Sequence, residues 1–405
     1  SILKASFNIQ FFSTLGITFL FYILAYPLAY LLNDLSLIPY IQITSLILPF
    51  YAIFTLYTGY YNGLRNFKKQ ASLNIVYSLS KLVLVVGLVY VFHLYGAIIG
   101  FIVSPIIALL FGFKLPKAVK IDKALYRSLI LFSLPLIGFA ILSTLQLSID
   151  LFFIKSLLMD NQAAGLYTAS QNIARIPYYT LSAFALILLP TVSRSIHTES
   201  VAETGRRIRE NLRYLLLLLI PGTVLIAITS PKLLQLLYST SYIPAAESLT
   251  WLVIGLGFLT VFAVLANIII ADDKPGSAMS IAGAGVILIS IFSWILIPRY
   301  GLVGASYATL IGGSFAMLTS LILVAKRFPN IINWLSTIKI ILACAGIYIV
   351  HTFINFPAIL LPITYIILGL VYGLILVVLG EITSKDINVI KQMIPKRAQF
   401  ITPNE

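Results

Sequence analysis

Twelve stretches of about twenty apolar residues, separated by short polar loops, run through the whole sequence. They fall near 7–32, 38–62, 72–92, 94–113, 129–156, 166–190, 211–229, 246–270, 276–297, 301–324, 335–353 and 358–380. Lipid offers no water to an open backbone, so stretches of this length have to be helices. The expected fold class is an all-α polytopic membrane protein. Hydrophobic residues at 60% against charged residues at 10% leave too little polar surface for a soluble domain.

A net charge of +14 raises nucleic acid as a partner, but the positions of the charges point elsewhere. When the loops are placed alternately on two sides, all but five of the 27 Lys and Arg lie in spans or loops assigned to one side. The exceptions are Lys81, Lys155, Arg175, Lys232 and Arg299. By the positive-inside rule the basic side is cytoplasmic, with both ends of this chain there, in a plasma or inner cell membrane. The charge is thus a topology signal, and no nucleic acid is expected. Membrane lipids are the surrounding partner. Cys344 is a lone cysteine in an apolar run, and His93, His197 and His351 are far apart, so no metal site is expected. No catalytic triad, phosphate loop or dinucleotide fingerprint is present, and neither a cofactor nor enzymatic activity is expected.

A shift of 205 residues superposes Ser36, Ile38, Pro39, Thr55, Asn62, Lys69, Ser72, Tyr95 and Gly96 on Ser241, Ile243, Pro244, Thr260, Asn267, Lys274, Ser277, Tyr300 and Gly301. Much of the turn punctuation is kept, as expected of an internal structural repeat. The copy beginning near Asn211 is preceded by a hairpin of two spans, Leu129 to Pro190, with no counterpart before the first copy. Two further helices are therefore expected ahead of Ser1. The domain reading is an N-terminal lobe of four helices at 1–125, a C-terminal lobe of six at 126–325, an appended helix pair at 326–380 and a cytoplasmic tail at 381–405. Repeats with an even number of spans share one orientation, so two lobes flanking a substrate path are expected.

Three charges lie deep inside spans, where ionisable side chains are expensive and mark a pathway, a ligand site or a buried pair. If the second helix of the hairpin enters the bilayer near Leu166, Arg175 lies roughly 14 Å deep and Asp150 roughly 10 Å, at the helical rise per residue. Lys81 also lies roughly 14 Å deep, counted from the opposite side. Polar neighbours extend each position into a stripe: Ser143, Gln146 and Asp150 on one helix, and Gln171, Asn172, Arg175 and Tyr179 on the next. Thr55 and Asn62 share a face of the second span, and Asn74, Ser78 and Lys81 share one of the third. These stripes fit a central cavity, against the plainer reading of an Asp150–Arg175 pair that only locks the hairpin. Two bases and one acid leave such a cavity positive, which favours an anionic ligand. Pro135, Pro177 and Pro221 are the expected places for kinks.

The segment SIDLFFIKSLLMDNQAAGLYTASQNIARIPYYTLSAFALILLPTVSR resembles the oligosaccharyl-lipid flippases, the Wzx-like polysaccharide-export branch of the MATE-like (MOP) superfamily. LLYSTSYIPAAESLTWLVIGLGF, NIIIADDKPGSAMSI and PRYGLVGASYATLIG continue the likeness over most of residues 128–325, with weaker agreement over 1–127. The resemblance implies a two-lobe bundle of fourteen helices, of which twelve would be in this chain. It also implies alternating access, carrying a polyprenyl-linked, diphosphate-bearing oligosaccharide to the outer leaflet, driven by a proton or sodium gradient or by the membrane potential. Arg175 and Lys81 would engage the anion, with Asp150 as an orienting or ion-accepting group. Gln146, Gln171, Asn172, Tyr179, Asn74, Thr55 and Asn62 would complete the substrate-binding set, and glycan-assembly proteins would be partners. A MATE-type antiporter of small cations is the alternative, although its cavity ought to be acidic. A nontransporting scaffold is the third reading, and polar stripes on several helices speak against it.

Overall fold

A computed structural model describes residues 2–113, 123–198, 200–353 and 356–381. Fourteen α-helices are present among them, in two compact units, Ser1–Ile137 and Gly138–Glu405. The division falls a dozen residues beyond the expected lobe boundary at 125, and the expected tail lies almost entirely outside the described residues.

The first unit contains α1 (Ile2–Ile23), α2 (Ala25–Leu31), α3 (Ile38–Ser45), α4 (Ile47–Gly63) and α5 (Phe67–Leu110). Then α6 (Lys123–Gln146) leads into the second unit, with α7 (Ile149–Leu158), α8 (Asn161–Thr198), α9 (Val201–Ile228), α10 (Ser230–Leu237), α11 (Ala246–Ala271), α12 (Pro275–Arg327), α13 (Trp334–Phe353) and α14 (Leu361–Val378). Among the described residues, eight helical segments are long and apolar enough to cross a membrane, or nine if α6 and α7 form one broken span.

Two of these segments are doubled. At 44 and 53 residues, α5 and α12 would each be roughly twice as long as a bilayer core is thick, if straight. Each instead folds back at one residue: His93 at φ 50°, ψ −127° and Gly301 at φ 55°, ψ −132°. Close contacts show the reversal. A Cβ on Gly96 would overlap the carbonyl of Leu88, and one on Gly304 would overlap that of Leu296. Residues eight apart along a straight helix are about 12 Å apart. Each long helix is therefore an antiparallel hairpin of two passes, as the spans expected at 72–92 with 94–113, and at 276–297 with 301–324, require.

The hairpins also correct the repeat. Left-handed residues recur at Arg65 and Asp273, then at His93 and Gly301, an offset of 208 rather than 205. The helix ends Gly63 and Ala271 follow the same offset. Ser36 and Ser241 do fall in the 3₁₀ turns Leu35–Leu37 and Thr240–Ala245 in the expected register. The second copy then keeps its 3₁₀ turn through Pro244 and starts α11 at Ala246, whereas the first starts α3 at Ile38. Hence Thr55 with Thr260, Asn62 with Asn267 and Tyr95 with Tyr300 are not structural counterparts.

In the second unit the core surrounds α11, whose Leu249, Leu252, Leu256, Leu259, Phe262 and Leu265 are buried. It crosses α12 closely enough that a Cβ on Gly313 would lie 2.8 Å from the Gly255 carbonyl oxygen, so both positions need glycine. The helices α13 and α14 pack on α9 through Ile340, Cys344, Ile347, Leu368 and Leu376. There Cys344 acts as a small apolar residue. Gly380, at φ 63°, ends α14, and the Glu381 N–H returns to the Leu376 carbonyl, closing the helix terminus. The buried Glu381 carboxylate then meets Arg213 at 2.6 Å and accepts from the Ser336 hydroxyl, tying the pair to α9. The first unit has a smaller, aromatic core of Phe54, Tyr57, Tyr61, Leu73, Ala108 and Leu109.

Candidate functional site

The expected single span at 129–156 is broken. After Gln146 the chain turns through Leu147 and Ser148 and resumes as α7, bent by 46° from α6. No proline causes the break: Pro135, Pro177 and Pro221 all lie within helix. Because of the break, Ser143, Gln146 and Asp150 do not form one continuous helical stripe. Gln146, buried, donates to the Ala282 carbonyl oxygen at 3.1 Å. Asp150, at the first turn of α7, is placed where the helix dipole favours negative charge.

Asp150 is 1% exposed and fully caged. Its Oδ1 accepts from the Leu151 N–H at 2.8 Å and from Gln171 Nε2 at 3.0 Å. Its Oδ2 accepts from the Tyr167 hydroxyl at 2.5 Å and from Thr309 Oγ1 at 2.9 Å. Four donors from three parts of the unit thus replace the lost hydration, which is what a carboxylate at this depth requires. Thr309 stands eight residues beyond the Gly301 turn, about 12 Å along the helix.

Arg175 does not pair with this acid. Its guanidinium donates to the Leu147 carbonyl oxygen and, at 3.1 Å, to Ser148 Oγ, both in the break. Its Nε is buried without a hydrogen-bond partner. The residue is half-buried, and the next turns of α8 present Asn172 and Tyr179 to the outside. Asn172 Nδ2 donates to the Tyr238 hydroxyl at 3.3 Å. Arg175 therefore sits at the edge of the Asp150 cage, with its charge facing two neutral acceptors.

The first-unit candidates are arranged differently. Lys81 Nζ lies 5.3 Å from the ring centres of both Tyr77 and Phe101, a cation–π sandwich inside the α5 hairpin. Thr55 returns its hydroxyl to the Ala52 carbonyl at 2.9 Å and lines a cavity of about 710 Å³ with Ser6, Gln10, Gly59, Tyr60 and Gly63. Asn62 and Asn74 are exposed. Each unit thus brings together its own subset of the expected residues. Tyr167, Thr309 and Ser148 belong to the second-unit site and were not expected there. A signal was present for each: Tyr167 and Thr309 fall in the segments that carry the family likeness, and Ser148 is the polar residue two before Asp150.

The sequence profile described as a polysaccharide biosynthesis protein matches residues 2–247, which is more than half of the chain. The chain belongs to that family. An uncharacterised membrane protein of Methanocaldococcus jannaschii is 26% identical over 146 residues, which are 35% of this chain. That match spans 29% of the relative's length. Among solved structures, the fold of this family member is similar to the lipid II flippase MurJ in an inward closed conformation, with a TM-score of 0.73. The identity is 16%, covering 92% of this chain and 82% of that one. A Vibrio cholerae MATE transporter, VcmN, aligns at a TM-score of 0.61 with 17% identity, covering 80% of this chain and 78% of the other. A MOP superfamily transporter from Pyrococcus furiosus aligns at 0.59 with 13% identity, covering 81% and 80%. The fold is that of the MATE-like, MOP transporters.

Proposed function

We propose that this protein moves a polyprenyl-linked oligosaccharide, anionic at its diphosphate, from the cytoplasmic to the outer leaflet by alternating access during polysaccharide or glycan biosynthesis. Family membership and the MurJ-like fold support the substrate class. The observation that carries the reading is Arg175: a half-buried guanidinium whose hydrogen bonds go to two neutral acceptors leaves its positive charge for a phosphate. Lys81 is the second cation of the reading. The coupling ion, a proton or sodium, would be taken at Asp150, with both chain ends in the cytoplasm of a cell that builds glycans at its plasma or inner membrane.

The test is translocation of a lipid-linked oligosaccharide in proteoliposomes, run beside efflux of a cationic dye. Transfer of the lipid-linked sugar, lost by tenfold or more in Arg175→Ala at unchanged protein level, is the expected result. Dye efflux without sugar transfer would replace this reading with the MATE-type antiporter.

A further inference from the structure

Asp150 and Arg175 make no ion pair, yet they share a neighbour. Gln171 Nε2 donates to Asp150 Oδ1 at 3.0 Å and to the Leu147 carbonyl oxygen at 3.0 Å. The same carbonyl accepts from Arg175. An amide nitrogen carries two hydrogens, so Gln171 has one committed to the acid and one to the oxygen that holds the arginine. At 2% exposure it has no water to fall back on.

We propose that Gln171 is a positioning residue through which the charge state of Asp150 governs how firmly Arg175 is held against the α6–α7 break. While the carboxylate is charged, its bond from the amide is charge-assisted and about twice as strong as a neutral one. Neutralising Asp150 lets the amide lean onto the Leu147 carbonyl. The oxygen takes both bonds on its two lone pairs, but a stronger bond from the amide withdraws electron density from the one to Arg175, which is then released more easily toward an anionic ligand. The inference rests on the reading of Arg175 as the anion-binding group, and it assigns Gln171 a role that substrate contact would not.

The experiment is a double-mutant cycle on the detergent-purified full chain, with farnesyl diphosphate as the probe and the carboxamide of Asp150→Asn as a fixed neutral stand-in for the protonated acid. Binding is measured for the native protein, Asp150→Asn, Gln171→Leu and the double variant. Asp150→Asn is expected to tighten the probe about tenfold in the native background. In the Gln171→Leu background no more than about threefold remains, from the field of the carboxylate through space. Equal fold-changes in the two backgrounds would overturn the proposal, because a Gln171 that only supports the fold multiplies through. So would an Asp150→Asn that leaves binding unchanged. Should Gln171→Leu fail to fold, Gln171→Met keeps the volume and completes the same cycle. Arg175→Ala is the separate control: unaltered probe binding there would remove the anion-site reading itself, whatever the cycle shows.

Discussion

The hairpins α5 and α12 have the same backbone and opposite chemistry. Both reverse at one residue within a few degrees of φ 50°, ψ −130°, and both pack their arms on a glycine three residues later, Gly96 and Gly304. At the offset of 208, Thr309 of α12 corresponds to Phe101 of α5. Thr309 gives a hydroxyl to a buried acid, whereas Phe101 gives a ring face to a half-buried lysine. The repeat conserves how the chain turns, and side chains at one equivalent position decide which charge each unit holds. In the second unit the charge is sealed by hydrogen bonds. In the first it is screened by aromatic rings, with the amide-bearing Asn62 and Asn74 left outside.

This contrast can be broken most forcefully at the acid. Asp150→Ala leaves the Tyr167, Thr309 and Gln171 donors unmet inside the protein and is expected to cost about 3–5 kcal/mol of stability. Thermal unfolding in detergent would show it. Lys81→Met, which removes the charge but keeps a flexible chain against the two rings, is expected to cost under about 1 kcal/mol in the same assay. Equal losses at the two positions would erase the distinction between a sealed and a screened charge.

The turns sharpen the shared half of the comparison. A side chain other than glycine is strained at φ near +50° with ψ near −130°, at about 1–3 kcal/mol. Gly301→His is therefore expected to destabilise by that much. His93→Gly is expected to stabilise by up to about 1 kcal/mol, since the relief of strain is offset in part by the freer unfolded chain. A stabilising Gly301→His would mean that the two turns are not equivalent.

Much of this was legible in the sequence because it depends on length and polarity. Twenty apolar residues must form a helix in lipid, so the arms of α5 and α12 were separable at 92–94 and 297–301. The break at Leu147–Ser148 was not legible, since no proline or glycine marks it; the carbonyl it frees at Leu147 is met by tertiary bonds from Gln171 and Arg175. The continuous stripe of Ser143, Gln146 and Asp150 was expected for the same reason, because a stripe reading assumes an unbroken helix. The repeat register slipped by three residues because chance identities such as Thr55 with Thr260 outweighed a longer 3₁₀ turn. Thr309 was missed because threonine hydroxyls in apolar helices usually bond back to their own backbone, as Thr55 does, and Tyr167 because an aromatic residue near the end of a span reads as part of an interfacial belt.

The central claim is that the exposed face of α8 beside Arg175 meets water and an anionic lipid. Asn172 is exposed on that face, and Cys344 is the one cysteine of the sequence, so Asn172→Cys in a Cys344→Ser background gives a single reporter thiol. A charged, water-soluble thiol reagent is expected to label it in membranes, farnesyl diphosphate to slow that labelling, and Arg175→Ala to abolish the protection. A reporter thiol that the reagent never reaches, or one that the diphosphate protects equally well without Arg175, would contradict the claim.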